Sequence, residues 1–197
     1  MNLLHIDSSI LGELSASRGL TRQIVERLRA QTPHLRVTYR DLAAEPLPHY
    51  SASSLATQDA AETARNAAAL EEFMAADVLV IGAPLYNFSV PSQLKAWIDR
   101  IAIKGKTFRY SAHGPEGLAG NKRVIVVVAR GGVYESGAGT EFGESYLKHL
   151  FGFLGVTDVS FVRAEGLNVS PEQRERSLAG ARATLGALAV QTPALAA

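Results

Sequence analysis

The sequence predicts an α/β fold: one doubly wound sheet of five parallel strands with helices on both faces. Three observations carry that prediction. Five short apolar runs recur along the 197 residues. Amphipathic helical patterns lie between them, which implies parallel strands joined by crossovers. The central runs are continuous and β-branched, as in strands covered on both faces.

The elements follow in order. Leu3-Leu4-His5-Ile6 is the first strand. A helix follows, with Leu20, Ile24, Val25 and Leu28 on one face. Leu35-Arg36-Val37-Thr38-Tyr39 alternates as a sheet-edge strand does. Arg40 to Ala56, rich in proline, serine and alanine, is a long connection. Val78-Leu79-Val80-Ile81 is the third strand. Leu94, Trp97, Ile98 and Ile101 then fall at i, i+3, i+4 and i+7, with Lys95, Asp99 and Arg100 off the stripe. That spacing assigns Trp97 to the core or a subunit contact. Lys104 to Asn121 holds Thr107-Phe108-Arg109-Tyr110 and a glycine-rich turn, a small hairpin or excursion expected near the site. Val124 to Val128 is the fourth strand, with Lys122-Arg123 before it expected to be solvated. Leu147, Leu150, Phe151 and Leu154 repeat the helical spacing, and Val159-Ser160-Phe161-Val162 is the fifth strand. Ser170-Pro171-Glu172 opens a last helix, serine as cap and proline in the first turn, running to about Leu188. Residues 1–190 thus read as one domain, and Gln191 to Ala197 as a frayed tail. Five such strands suit the order 2-1-3-4-5, the flavodoxin-like arrangement.

Composition excludes several classes of function. The chain is 47% apolar, enough for a sizeable core, and carries a net charge of +1 without runs of like charge. Neither a nucleic-acid nor a membrane surface is indicated. The absence of cysteine excludes disulfides, thiolate catalysis and thiolate-held metals. There is no secretory pattern and no apolar stretch near the ~20 residues that span a bilayer, so a cytoplasmic protein is expected. His5 and Asp7 share a strand face, but His34, His49, His113 and His149 are scattered, and no metal site is predicted.

In a doubly wound sheet the ligand lies beyond the carboxyl ends of the strands, at the switch point between strands one and three. Three loops end there. The first, Asp7 to Arg18, carries Ser8, Ser9, Ser15 and Ser17 and leads into a helix. Unsatisfied N–H groups at a helix start favour an anion, and serine hydroxyls add short donors, a combination suited to a phosphate monoester. The same serines are also what an ordinary helix cap looks like. The second loop, Gly82-Ala83-Pro84-Leu85-Tyr86-Asn87-Phe88-Ser89-Val90-Pro91, sets aromatics at a strand end between stiffening prolines. They cover either a flat ligand or a core or subunit contact. The third, Ala129-Arg130-Gly131-Gly132-Val133-Tyr134, has paired glycines that let backbone approach a ligand closely, or simply make a tight turn. An anion site, an aromatic wall and a close-approach backbone converge on one crevice.

These loops resemble the FMN-dependent NADH-azoreductases, relatives of the NAD(P)H:quinone oxidoreductases. The resemblance rests on Asp7-Ser8-Ser9-Ile10-Leu11 with Ser15 and Ser17, Pro84 to Phe88, Ser92 to Lys95, Thr107 to Tyr110, Gly114 to Leu118, and Arg130-Gly131-Gly132. It implies that Ser9, Ser15, Ala16 and Ser17 hold the FMN phosphate. Leu85, Tyr86, Asn87 and Phe88 would line the flavin ring, and Ala129, Arg130, Gly131 and Gly132 would close its pyrimidine side. Tyr134 would touch the substrate or donate a proton. The implied reaction passes a hydride from NADH or NADPH to quinones and aromatic azo compounds by a ping-pong mechanism. The resemblance also implies a homodimer, for which Phe142, Phe151 and Phe153 offer apolar aromatics. A flavodoxin-type electron carrier would share the fold but is usually strongly acidic, against +1 here. A non-catalytic flavin-binding regulator is the other alternative. A receiver domain fails, because the third strand ends in Gly82-Ala83-Pro84 rather than an aspartate.

Overall fold

Strand β1 (Asn2–Asp7) runs between β2 (Arg36–Asp41) and β3 (Val78–Pro84), and β3 is followed across the sheet by β6 (Arg123–Ala129) and β7 (Asp158–Ala164). All four pairings are parallel, so the spatial order is second-first-third-fourth-fifth, as expected. The computed structural model describes residues 1–55, 59–134 and 142–190. The tail expected from Gln191 onward lies outside them.

Side chains of a strand alternate between faces, and two cores result. Leu4, Ile6, Leu79, Ile81, Val124 and Val126 face helices α3 (Ala60–Ala75), α4 (Ser92–Ile101) and α5 (Gly143–Phe153). Leu3, Val78, Val80, Ile125 and Val127 face α1 (Ala16–Gln31) and α6 (Pro171–Val190). Every residue of β3 and β6 is buried, which explains their unbroken apolar runs. Edge strand β2 is half-exposed, and its alternation holds from Leu35 to Thr38 and breaks at exposed Tyr39.

The crossover from β2 to β3 is carried by α3, after a one-turn helix α2 (Ala52–Leu55). Helix α3 has no strong apolar stripe. It is alanine-rich and anchors through Ala69 and Phe73, with Asp59 capping its first turn. Trp97 is fully buried, edge-on to Phe73 at 6.1 Å, and so belongs to the core. Phe151 is also core, and Phe153 packs on Phe108 at 4.6 Å; of the three aromatics offered for a dimer surface only Phe142 is exposed.

One expectation is corrected. Lys122 and Arg123 are buried, not solvated. Lys122 Nζ donates to the carbonyls of Met74 and Ala76 at 2.8 and 2.7 Å, satisfying the end of α3, while Arg123 reaches toward Asp158. Burial pushes the Lys122 ammonium below its ordinary range. Arg100, off its helix's apolar stripe, is buried too. It bonds Glu62 and the Pro48 carbonyl at 2.8 and 2.7 Å and stacks on Tyr50, tying down the long connection. The hairpin of β4 (Phe108–Ser111) and β5 (Gly114–Gly117) is rooted at the amino ends of the strands and runs along α5, where Pro115 shares a hollow with Ser145 and Lys148. Helix α4 returns the chain to the amino ends of the strands, and the hairpin starts there, with Thr107 Oγ1 bonded to the Ile101 carbonyl. Its far root packs on the turn before β7. A Cβ on Gly117 would lie 2.0 Å from the Gly155 nitrogen, so backbone meets backbone.

The lysine cap has a measurable cost of loss. Lys122→Met keeps the aliphatic stem near Phe73 but abandons two buried carbonyls. A destabilisation of about 1–3 kcal/mol is expected in urea titration; a neutral result would mean that water replaces the ammonium.

Candidate functional site

Each of the three loops at the carboxyl ends leaves backbone N–H groups without a partner among the described residues, and each is held from behind by the fold. The first loop turns at Ser8, whose hydroxyl donates to the Gly82 carbonyl at 2.6 Å. Ser9, Ser15 and Ser17 are all buried. Ser15 caps α1 by accepting from the Arg18 N–H at 3.3 Å, and its hydroxyl lies 3.0 Å from that of Ser17. The N–H groups of Ala16 and Ser17, in the first helical turn, have no acceptor among the described residues. The Ser9 hydroxyl lies 3.3 Å from the Tyr86 hydroxyl, which also accepts from the Ile10 N–H. The first and second loops are therefore stitched together.

A network beneath the first loop fixes its height. Arg18 Nη2 donates to the Ser9 carbonyl at 2.8 Å, and both Nη atoms clasp Asp41 at 2.6 and 2.7 Å. Arg18 Nη1 also reaches the Tyr39 hydroxyl, which donates to Asp7. Thr21 donates to the other Asp7 oxygen at 2.9 Å, and His5 Nε2 sits 3.4 Å from the carboxylate. The Arg18 guanidinium holds the Asp41 carboxyl below its ordinary value. Burial, helped by Asp7 and Asp41, pushes the Tyr39 phenol up to about 12. Tyr39 therefore stays a donor at neutral pH. The expected sharing of a face by His5 and Asp7 is seen. No cluster of metal ligands occurs among the described residues.

The second loop is a two-residue turn. Tyr86 and Ser89 exchange backbone hydrogen bonds at 3.0 and 3.1 Å, with Asn87 and Phe88 at φ 49° and 69° between them. Both central residues are left-handed, as a type I′ turn requires; asparagine tolerates this, but the second place favours glycine. Phe88 is thus held in strain with its ring 53% exposed. Strain of this kind collects at functional sites. Leu85 N–H is taken by the Ala129 carbonyl, and the Phe88 carbonyl accepts from Phe142.

The third loop leans on the loop after β7. Arg130 N–H bonds the Ala164 carbonyl, while the carbonyls of Arg130, Gly131 and Gly132 accept from Leu167, Asn168 and Gly166. Arg130 is buried and braces this corner through Glu165 at 2.8 Å and through Glu144. Its side chain is thus engaged with the scaffold, and the N–H groups that keep no acceptor among the described residues are those of Gly131 and Gly132. A Cβ on Gly131 would meet Asn168 Nδ2 at 2.6 Å, so the Asn168 amide would have to move to admit a side chain there. Tyr134 is half-buried, edge-on to Phe88 at 6.4 Å, and closes an aromatic corner across two loops. The support from Gly166, Leu167 and Asn168 is not foreseen in the sequence. Its signal is Glu165-Gly166 directly after a strand, with Gly166 at φ 70°.

A groove of about 870 Å³ runs past the second loop, lined in part by Ile10, Leu85, Tyr86, Asn87, Gln93 and Tyr146. Burial, with Asp99 nearby, pushes the Tyr146 phenol up to about 12, so it too remains protonated. The Ser9 hydroxyl meets that of Tyr86 at one corner, with the Ser15–Ser17 hydroxyl pair at the start of α1, and Phe88 meets Tyr134, which lies beside Gly132, at another. The arrangement offers neutral N–H and O–H donors at one end and apolar rings at the other.

The Flavodoxin-like fold family matches residues 1–189 of the chain. The chain is similar to FMN-dependent NADH:quinone oxidoreductase 2 of Bradyrhizobium diazoefficiens, 55% identical over 192 residues that span 92% of this chain and 95% of the relative. It is 54% identical over 186 residues to FMN-dependent NADH:quinone oxidoreductase 1 of Xanthomonas euvesicatoria pv. vesicatoria, covering 94% and 95%. Among solved structures it is similar to an azoreductase from Bacillus anthracis str. Sterne, with TM-score 0.86, 29% identity, and 96% and 98% of the two chains covered. It is also similar to an FMN-dependent NADH-azoreductase from Bacillus anthracis str. Ames Ancestor in complex with FMN, with TM-score 0.85, 26% identity, and 96% and 100% covered.

Two expectations follow from the geometry. Phe88→Gly relieves the left-handed strain and gives back part of it as unfolded-chain entropy. It should raise stability by about 0.5–1 kcal/mol, seen as a higher urea midpoint; a lower midpoint would make the ring a packing anchor. Asp41 has a lowered folded-state value, so its contribution is present above the ordinary 3.8 and fades as pH falls through the lower folded value. Asp41→Asn should be less stable than wild type at neutral pH, and the gap should narrow below about pH 3–4. A gap constant across that range would assign the effect to packing.

Proposed function

The chain belongs to the Flavodoxin-like fold family, among the FMN-dependent NADH:quinone oxidoreductases, and from that premise we propose how its crevice works. Ser9, Ser15, Ala16 and Ser17 would hold the phosphate of FMN, and Leu85, Tyr86, Asn87, Phe88, Ala129, Gly131 and Gly132 would line its ring. One observation carries this placement: the N–H groups of Ala16, Ser17, Gly131 and Gly132, without acceptors among the described residues, and three buried serines face one crevice. The donor set fits a phosphate ester at the helix start. Asn168 fills the space behind Gly131 and braces the turn that carries the Gly131 and Gly132 N–H groups, donors that suit the polar edge of a flat ring.

When bound, FMN supplies the acceptor and donor of a hydride, taken from a reduced nicotinamide and passed to an electron-poor aromatic. The protein's own part is binding and orientation. Loop one grips through neutral donors and the dipole of α1, the dipole term itself being only about 0.3–2 kcal/mol. Phe88 and Tyr134 present ring edges and faces against which nicotinamide and acceptor take turns, which makes the kinetics ping-pong. Quinones and azo compounds are flat enough for that corner. Tyr134 is a substrate contact, with its hydroxyl as a candidate proton donor. Ile10, Leu11, Leu14, Phe88, Val133 and Phe142 are exposed around the crevice, a patch that supports a homodimer closing over it. No helix among the described residues is long and apolar enough to cross a membrane; a cytoplasmic setting is consistent with that.

The electron-carrier alternative needs a strongly acidic docking face, and the charge of +1 offers none. The decisive test is anaerobic. The purified protein with FMN should be yellow, bleach on NADH alone and regain colour with a quinone, giving parallel double-reciprocal lines. A protein that takes up no FMN would end the reading. One that binds FMN but is reduced only by a partner protein would be a carrier.

A further inference from the structure

Arginine in the first turn of a helix opposes the helix dipole, and α1 has no acidic residue there to offset it. Yet Arg18 occupies that turn, and its side chain is only 9% exposed. A side chain on a helix leans toward the amino end, which carries Arg18 back beneath the first loop. There all five guanidinium donors are used. Nε and Nη2 reach the Ser9 carbonyl at 3.3 and 2.8 Å; Nη1 and Nη2 take the two Asp41 oxygens; Nη1 takes the Tyr39 hydroxyl. No donor remains for a ligand, and Asp41 offsets the charge.

We infer that Arg18 is a positioning residue for the phosphate end of the crevice: it locks the Ser9 peptide to edge strand β2, so that the first loop's donors converge on one point. The inference rests on the phosphate placement proposed above. Ser9 is the hinge of the arrangement. Its carbonyl is pinned by Arg18, while its hydroxyl accepts from the Leu11 N–H and meets Tyr86. The same arginine's own N–H is held by the Ser15 cap. Arg18 therefore sets the distance between the two serine groups on either side of the 3₁₀ turn Gly12–Leu14. A fork that bonds a carbonyl and a carboxylate at once has no lysine equivalent.

The test compares FMN with riboflavin, which lacks the phosphate, on apo-protein by flavin fluorescence quenching. In Arg18→Gln and Arg18→Lys, FMN affinity should fall roughly tenfold or more while riboflavin affinity changes less than about threefold. Should Arg18→Gln fail to fold, Arg18→Lys keeps the comparison open, because it retains charge and stem. Equal losses for both flavins, or no loss for either, would overturn the inference and assign Arg18 to general stability. Wild-type FMN affinity in Arg18→Lys would also overturn it, because charge alone would then suffice. Wild type that binds neither flavin would instead remove the phosphate placement itself.

Discussion

Backbone N–H groups that the fold cannot satisfy are the constraint on which the site depends. A parallel sheet forces every strand to hand over to a helix or loop at its carboxyl end, and a helix start always has donors to spare. Here the two central strands are buried throughout, so these donors gather at the one place where the sheet opens. A phosphate and the polar edge of a ring need such donors and little else. Lys95 on the groove's lining is paired with Asp99, and the anion site proposed at the start of α1 is built from neutral donors, which on a rigid frame bind an anion without reorganising.

Rigidity comes from charged groups placed behind the loops. Arg18 with Asp41 supports the first, Arg130 with Glu144 and Glu165 the third. Each pair is desolvated, and such pairs contribute little net stability over an apolar replacement. What they provide is register: Arg18 fixes the Ser9 carbonyl, and with that peptide the Ile10 N–H that reaches Tyr86, while Arg130 ties the third loop to Glu165 and Glu144. The second loop is held differently, by a tight turn whose left-handed Phe88 could be relaxed by glycine but would then present no ring.

Much of this was legible in the sequence because it repeats with a period. Continuous valine runs marked β3 and β6, alternation marked β2, and three loops followed from where those strands end. Helix α3 was less legible. Its packing side is largely alanine, which hardly differs from its exposed side, and only Ala69 and Phe73 mark the face. Lys122 and Arg123 were misplaced because residue type speaks for solvent, whereas unpaired carbonyls at the end of α3 drew the ammonium inward. The hairpin was visible as a turn but its root was not, because composition does not show which way the preceding helix has carried the chain. Support from Asn168 was invisible for a similar reason: it acts across two strands, at a distance no local pattern encodes.

The hairpin's course also links the molecule's two ends. Seven-residue strands put roughly 23 Å between its roots and the crevice. The hairpin climbs part of that interval: Gly117 meets Gly155 at the root, while Pro115 and Gly117 share a hollow with Ser145, Lys148 and Phe153 along α5. An insertion or dye grafted there would lie against the flank of the helix that leads up to Phe142, and would report on that flank.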